Sequence, residues 1–220
     1  MAFGIGVLLL ALPVEAATVL SIGDGDTITV NADLSSNATA SSLMLTDYSD
    51  ISLNGSFNQT NGSGSSLTIS SGRGFIQASG VNINASGNAT LDVSVITNNR
   101  VGPTIWSNET PGAILGNITT NGGNISIASS MEGVVWNGMA VGGGSVAIVL
   151  LGNLSLGSGS VMLRGGITAN GRTITSDGSI VLVGATNAGT GLTLYSNGTV
   201  HLVNTSTYTL GGTQGSTNHF

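Results

Sequence analysis

The sequence predicts an all-β chain, a right-handed parallel β-helix (β-solenoid) of short strands with about 20 residues per coil. Three observations predict it. From Ala17 onward Ser, Thr, Asn and Gly alternate with Ile, Val and Leu, the period-2 pattern of strands with one buried face. Strand-like units recur at steps of six or seven, and three steps, as from Leu154 to Ile174, make a repeat of about 20 residues. Helix signals are nearly absent: no window sets apolar residues at i, i+3, i+4 and i+7 against a charged face, and Lys, Glu and Arg are scarce.

Composition bounds the function classes. Of 220 residues 40% are hydrophobic, enough for a folded core, but only 6% are charged, against roughly 25% in an ordinary soluble domain. Lysine is absent; the arginines are Arg73, Arg100, Arg164 and Arg172, and the net charge is -6. No basic patch exists to neutralise phosphates or anionic lipid, which argues strongly against nucleic-acid binding. With no cysteine there is neither a disulfide framework nor a thiolate metal site. Secretion stays compatible with that, because backbone ladders and apolar stacks can hold a large extracellular β-structure.

Along the chain, residues 1–16 read as a signal peptide: Phe3 to Leu12 is apolar, Pro13 breaks the run, and Val14-Glu15-Ala16 is a small-residue cleavage pattern. The run is too short for a membrane-spanning helix. "IGDGDTITV" (Ile22 to Val30) follows as a tight turn feeding a strand. In the first half, Leu67-Thr68-Ile69, Phe75-Ile76, Val81-Asn82-Ile83 and Leu91-Asp92-Val93 succeed one another at steps of six to ten. In the second half the rhythm tightens, with inward residues expected at Ile118, Ile125, Leu154, Val161, Ile167, Ile174 and Ile180. Hairpin strands of a sandwich repeat every 8 residues or more, typically about 8 to about 12 residues, so the shorter step favours stacked coils of three strands. Stacking then places Ile over Ile inside and Thr or Asn over its like outside, with small residues at the corners. The apolar stretch Val134 to Leu151 reads as buried strands, since Asn137 and Gly142-Gly143-Gly144 are poor for a spanning helix. Residues 17–220 thus form one solenoid repeat domain. Its C-terminus is expected to be incomplete, because "TQGSTNHF" offers no polar cap.

The segments "GNITTNGGNISIASS" (Gly116 to Ser130), "ASGVNINASGNATLDVS" (Ala78 to Ser94) and "GSIVLVGATNAGTGLTLYSNGTVHLVN" (Gly178 to Asn204) resemble the repeat region of the filamentous haemagglutinin-type adhesins. These are large bacterial surface proteins of the two-partner secretion class. The resemblance implies a secreted, adhesive, non-catalytic solenoid. The family's Asn-Pro-Asn elements near the N-terminus have no counterpart, for no Asn-Pro dipeptide occurs.

"ATVLSIGDGDTITV" (Ala17 to Val30) is also similar to the first strand of the thermonuclease family, where Asp in an Asp-Gly-Asp-Thr context helps bind calcium. The similarity implies Asp24 and Asp26 as calcium ligands. Nuclease activity is not expected, because a developing phosphorane-like charge needs a cation and the next one is Arg73. A repeated nonapeptide calcium site is not matched either, as the motif occurs once.

Elsewhere the carboxylates Asp33, Asp47, Asp50, Asp92, Glu109, Glu132 and Asp177 are scattered, with Asp47 and Asp50 in "TDYSD" read as Asx-type turns. His201 alternates with Val200 and Leu202 and points outward, while His219 lies in the frayed end. No triad or acid pair is assembled. Trp106, Trp136, Tyr48, Tyr195 and Tyr208 are the aromatics able to stack on sugars. Twelve Asn-x-Ser/Thr sequons occur, and Asn124 and Asn153 read as turn chemistry at the start of strands.

The resulting expectation is an extracellular or outer-surface β-solenoid adhesin or structural module, not an enzyme, without a cofactor other than calcium at Asp24 and Asp26. Its partners are glycans, host or neighbouring cell surfaces, and further copies through the solenoid ends, with no nucleic acid and no integral membrane span. The alternatives are a polysaccharide-active β-helix enzyme, which needs clustered Asp, Arg or Lys in a groove, and an ice- or surface-binding solenoid, which needs Thr-x-Thr ladders. Thr-x-Thr occurs at Thr27 to Thr29, Thr173 to Thr175 and Thr207 to Thr209.

Overall fold

The structure, a computed structural model, describes residues 17–22, 28–31, 33–36, 41–47, 50–99, 112–131, 134–136, 139–141, 147–169, 171–183, 192–203, 209–210 and 217–219. Among them there is no helix. The strands wind into three parallel sheets, each strand pairing with its equivalent one coil away, so the chain is a parallel β-solenoid with three faces.

The first face stacks nine strands: Ala17–Ile22, Ser42–Asp47, Ser65–Ser71, Leu91–Asn99, Ile125–Met131, Val161–Arg164, Ile180–Val183, Thr199–Val203 and Thr217–His219. The second stacks Ile28–Val30, Ile51–Leu53, Phe75–Gln77, Ala113–Leu115, Ala147–Leu150 and Gly166–Ala169. The third stacks Leu34–Ser36, Phe57–Gln59, Asn82–Ala85, Asn117–Thr119, Leu154–Ser155, Thr173–Ser176, Thr193–Ser196 and Thr209–Leu210.

Alternation along each strand sends one set of side chains inward, and register puts like over like. On the first face Leu43, Leu67, Val93, Ile125, Val161, Ile180 and Val200 form one buried column, with Leu45, Ile69, Val95, Ile127, Leu163 and Leu182 beside it. All seven residues expected to point inward, from Ile118 to Ile180, are buried. One continuous apolar core therefore runs through the described coils.

The expected coil length holds toward the C-terminus, where Leu154 pairs with Ile174 and Ile180 with Val200. In the same coils Asn153 bonds to Thr173, and Asp177 to Asn197, each across 20 residues. Earlier coils are longer. Ser42 and Ser66, joined through their hydroxyls, are 24 residues apart, and Gly64 and Thr90 are 26 residues apart. The longer coils surround larger contents, for Phe57, Phe75, Gln59 and Gln77 are buried there, whereas the short coils enclose Ile, Leu, Val, Ala and the small Ser176 and Ser196. Two coils are longer still: Thr97 meets Ser129 across 32 residues, and Asn124 meets Ser160 across 36 residues. Their extra residues fall between the first and second faces, where an insertion leaves the parallel ladders intact.

The stretch Val134 to Leu151 does form strands: Ala147–Leu150 is a solenoid strand with Ile148 and Leu150 buried, while Val134–Trp136 and Met139–Val141 pair antiparallel with each other, separated in sequence by Asn-Gly, the strongest short hairpin signal. Two expectations are corrected. Asp47 is no loop residue: it ends a first-face strand facing inward, 3% exposed, stacked on Ser71, Thr97 and Ser129. His219 is not in a frayed end but in a strand, in register with His201. Among the described residues no helix is long and apolar enough to cross a membrane.

Candidate ligand-binding face

The outer surface of the third face is built from a two-residue local rule. Its strands are so short that each coil presents two outward residues, one at or just before the strand's start and one within it, with one apolar side chain between them pointing in. Asn117-Ile118-Thr119 and Asn153-Leu154-Ser155 show this, with Ile118 and Leu154 buried. The tripeptide that reads as a sequon is thus, here, the outward-inward-outward pattern of a solenoid strand.

Stacking turns these pairs into two rows along the molecule. Among the described side chains the row at the corner between the second and third faces runs Asp33, Ser56, Asn82, Asn117, Asn153, Thr173 and Thr193. From Asp33 to Thr173 it is a structural ladder in which each side-chain oxygen takes a donor of the next coil. Asp33 Oδ1 accepts from the Ser56 amide at 2.6 Å, Ser56 Oγ from the Asn82 amide at 3.1 Å, and Asn82 Oδ1 from Asn117 Nδ2 at 3.2 Å. Asn117 Oδ1 accepts from the Asn153 amide at 2.9 Å and Asn153 Oδ1 from the Thr173 amide at 3.0 Å.

The second row runs Ser35, Asn58, Asn84, Thr119, Ser155, Thr175 and Tyr195, each in register with the next. Its chemistry differs: among the described residues Asn58, Asn84, Thr119, Ser155 and Thr175 make no side-chain hydrogen bond to protein, so their donors and acceptors face solvent. Parallel-sheet geometry spaces the rows about 6.7 Å apart and successive coils about 4.8 Å. Between the rows lies an open groove of about 420 Å³ lined by Asn58, Asn82, Ile83, Asn84, Asn117, Thr119, Asn153 and Ser155. Every lining group is uncharged. Tyr195 is the last described member of the second row, beyond the groove, 42% exposed, its ring available on the surface.

The carboxylates expected as scattered are partly brought into ladders. Asp33 heads the corner row; Asp92 Oδ1 accepts from the Asn124 amide at 2.7 Å; Asp177 Oδ1 takes Asn197 Nδ2 at 2.5 Å. They act as acceptors for the neighbouring coil. His201 is exposed, as alternation predicts. Asp24 and Asp26, the calcium pair, lie outside the described residues, as do Tyr48, Trp106, Glu109, Glu132 and Tyr208. Among the described residues no three His, Asp or Glu come together as a metal site. The groove residues escaped notice in the sequence because Asn58, Asn84, Asn117 and Asn153 belong to sequons spread over nearly half the chain. The usable signal is Asn-apolar-Ser/Thr at Asn117 and again one coil later at Asn153.

Comparison with protein-family models, curated proteins and solved structures finds no match to the chain.

Proposed function

We propose that the chain is a non-catalytic binding module of a secreted or cell-surface adhesin, and that its third face is the adhesive surface. One observation carries this reading: from Ser56 and Asn58 onward two in-register rows of amides and hydroxyls run along the solenoid, and the groove between them is lined wholly by uncharged groups. A hydrolase or lyase acting on polysaccharide needs an acid pair or a cation beside an acid where the substrate lies. A rigid array of weak hydrogen-bonding groups suits repetitive ligands instead, since many small contacts sum without any group being buried. The rhythm shared with haemagglutinin-type repeats supports the same reading.

The test is adhesion of the purified full chain to glycan-coated beads and to intact cells. Thr119→Lys, which sets a long cation in the middle of the groove, is expected to abolish adhesion while the folded β spectrum is kept. Unchanged adhesion of that variant refutes the third face as the contact surface. Intact mass and fractionation of the natural product test the location, and a cytoplasmic species sinks it.

A second reading, binding to ice, is favoured by the register of Thr173 and Thr193 in one row, with Thr175 beside it. Thermal hysteresis at micromolar protein is its test.

A further inference from the structure

Resting on the adhesive reading of the third face, we infer that its ligand is an uncharged polysaccharide, bound as an extended chain along the solenoid axis over Asn84, Thr119, Ser155, Thr175 and Tyr195. Four observations lead there.

The first is direction. Across the strands the face offers two outward residues, about 6.7 Å, before the chain turns a corner. Along the axis the second row is unbroken from Asn58 to Tyr195, five coil steps or about 24 Å. A polymer that uses the array must run with the coils' stacking direction.

The second is charge. The groove carries none, and the chain's net charge is -6. The cation nearest the rows in sequence, Arg172, is half-buried at the corner before Thr173, and Asp33 and Asp177 flank the same face. An anionic glycan would lose hydration and meet no compensating cation in the groove, and a polycation would find no line of carboxylates.

The third is hydrogen-bond polarity. In the corner row Asn82, Asn117 and Asn153 give their Oδ1 atoms to the next coil, and Asn82 and Asn117 each also donate from Nδ2, to the Gly80 carbonyl and to Asn82 Oδ1, so what that row has left to offer is the remaining N–H of each and the amide of Asn153. The second row offers hydroxyls and whole carboxamides. A partner matching both must carry many groups that donate and accept, as sugar hydroxyls and ring oxygens do. The fourth is Tyr195, whose exposed ring stands in line with the hydroxyls and can take the C–H face of a sugar while its phenol stays wet.

Calorimetric titration of the full chain with cello-, xylo- and manno-oligosaccharides of two to six units, and with oligogalacturonate and heparin fragments, tests the inference. Affinity for at least one neutral series is expected to climb through four or five units. Tyr195→Ala and the pair Thr119→Val, Ser155→Ala are each expected to lower it about tenfold, and Tyr195→Phe to keep it. A plateau at the disaccharide overturns the axial orientation. Binding of the anionic fragments alone overturns the uncharged class but leaves a glycan-binding face. Failure to bind any oligosaccharide, by protein that still adheres to cells through the third face, overturns the inference while the adhesive function stands. Failure of both adhesion and titration overturns the two together.

Discussion

Gly123, Gly159, Gly178 and Gly198 occupy the same corner of successive coils, just before the first face, and what a Cβ would meet there explains their recurrence. A Cβ on Gly159 would lie 1.9 Å from the Gly123 carbonyl oxygen, and one on Gly178 or Gly198 at 2.7 or 2.5 Å from the oxygen of the glycine beneath it. The coils stack so closely that only hydrogen fits. Each glycine is followed by a polar residue, and two of these tie the coils: Asn124 Oδ1 accepts from the Ser160 amide and Ser160 Oγ from the Ser179 amide, both at 3.0 Å. The phrase Gly-polar-apolar-x-apolar is therefore corner, ladder, core, surface, core. Gly159→Ala is expected to destabilise by about 3 kcal/mol or more in urea denaturation, because backbone must move to admit the methyl. Gly171→Ala is the contrast: its φ of +63° disfavours a side chain but its Cβ would meet open space, so a loss of about 1 kcal/mol is expected. Asn153→Ala, which deprives the exposed Thr173 amide of its acceptor, should cost about 1 kcal/mol, and Asn153→Asp less.

The elements share one strand rule but differ in what surrounds them. A strand of two to four residues cannot be stable alone; it is held by ladders on both edges and by the core beneath it. Phe75, wholly buried on the second face, pairs with both Ile51 and Ala113, so Phe75→Ala should lose about 3–5 kcal/mol in the same assay. The inserted hairpin is the opposite case, since Val134–Trp136 and Met139–Val141 pair with each other and with no described solenoid strand. Replacing residues 134–141 by a short Gly-Ser linker is expected to move the melting temperature by only a few degrees. A large drop would show that the hairpin supports the coil. At this scale the sequence was informative about strands and their inward residues, because period-2 alternation is local. It was silent about the hairpin's orientation, since an apolar run serves a buried parallel strand and a hairpin alike.

For the whole molecule, a solenoid buries its core only between neighbouring coils, so stability is a sum of coil and interface contributions. Hydrogen exchange should then show protection greatest in the described central coils, around Leu67 to Ile127, and Phe75→Ala should lower it most in the coils carrying Ile51 and Ala113. Uniform loss along the chain would contradict this one-dimensional behaviour. The regular stacking also gives the third face its character: because one polar pair per strand is repeated in register, groups far apart in sequence form a continuous array.

The sequence by itself determined the class of fold, the parallel coil of three short strands, and the inward set from Ile118 to Ile180. Each follows from alternation and from the size of the glycine and polar residues at corners, which are properties of neighbouring residues. Only the tertiary structure decided which outward residues share a face. Whether Asn84 meets Thr119 depends on how much chain the intervening turns consume, and coils of such unequal length keep register only because the largest insertions are confined to one corner. The same non-local fact stacked Asp47 on Ser71 and set Tyr195 in line with Thr175. Pairing across coils, not local pattern, made a surface out of scattered Asn, Ser and Thr.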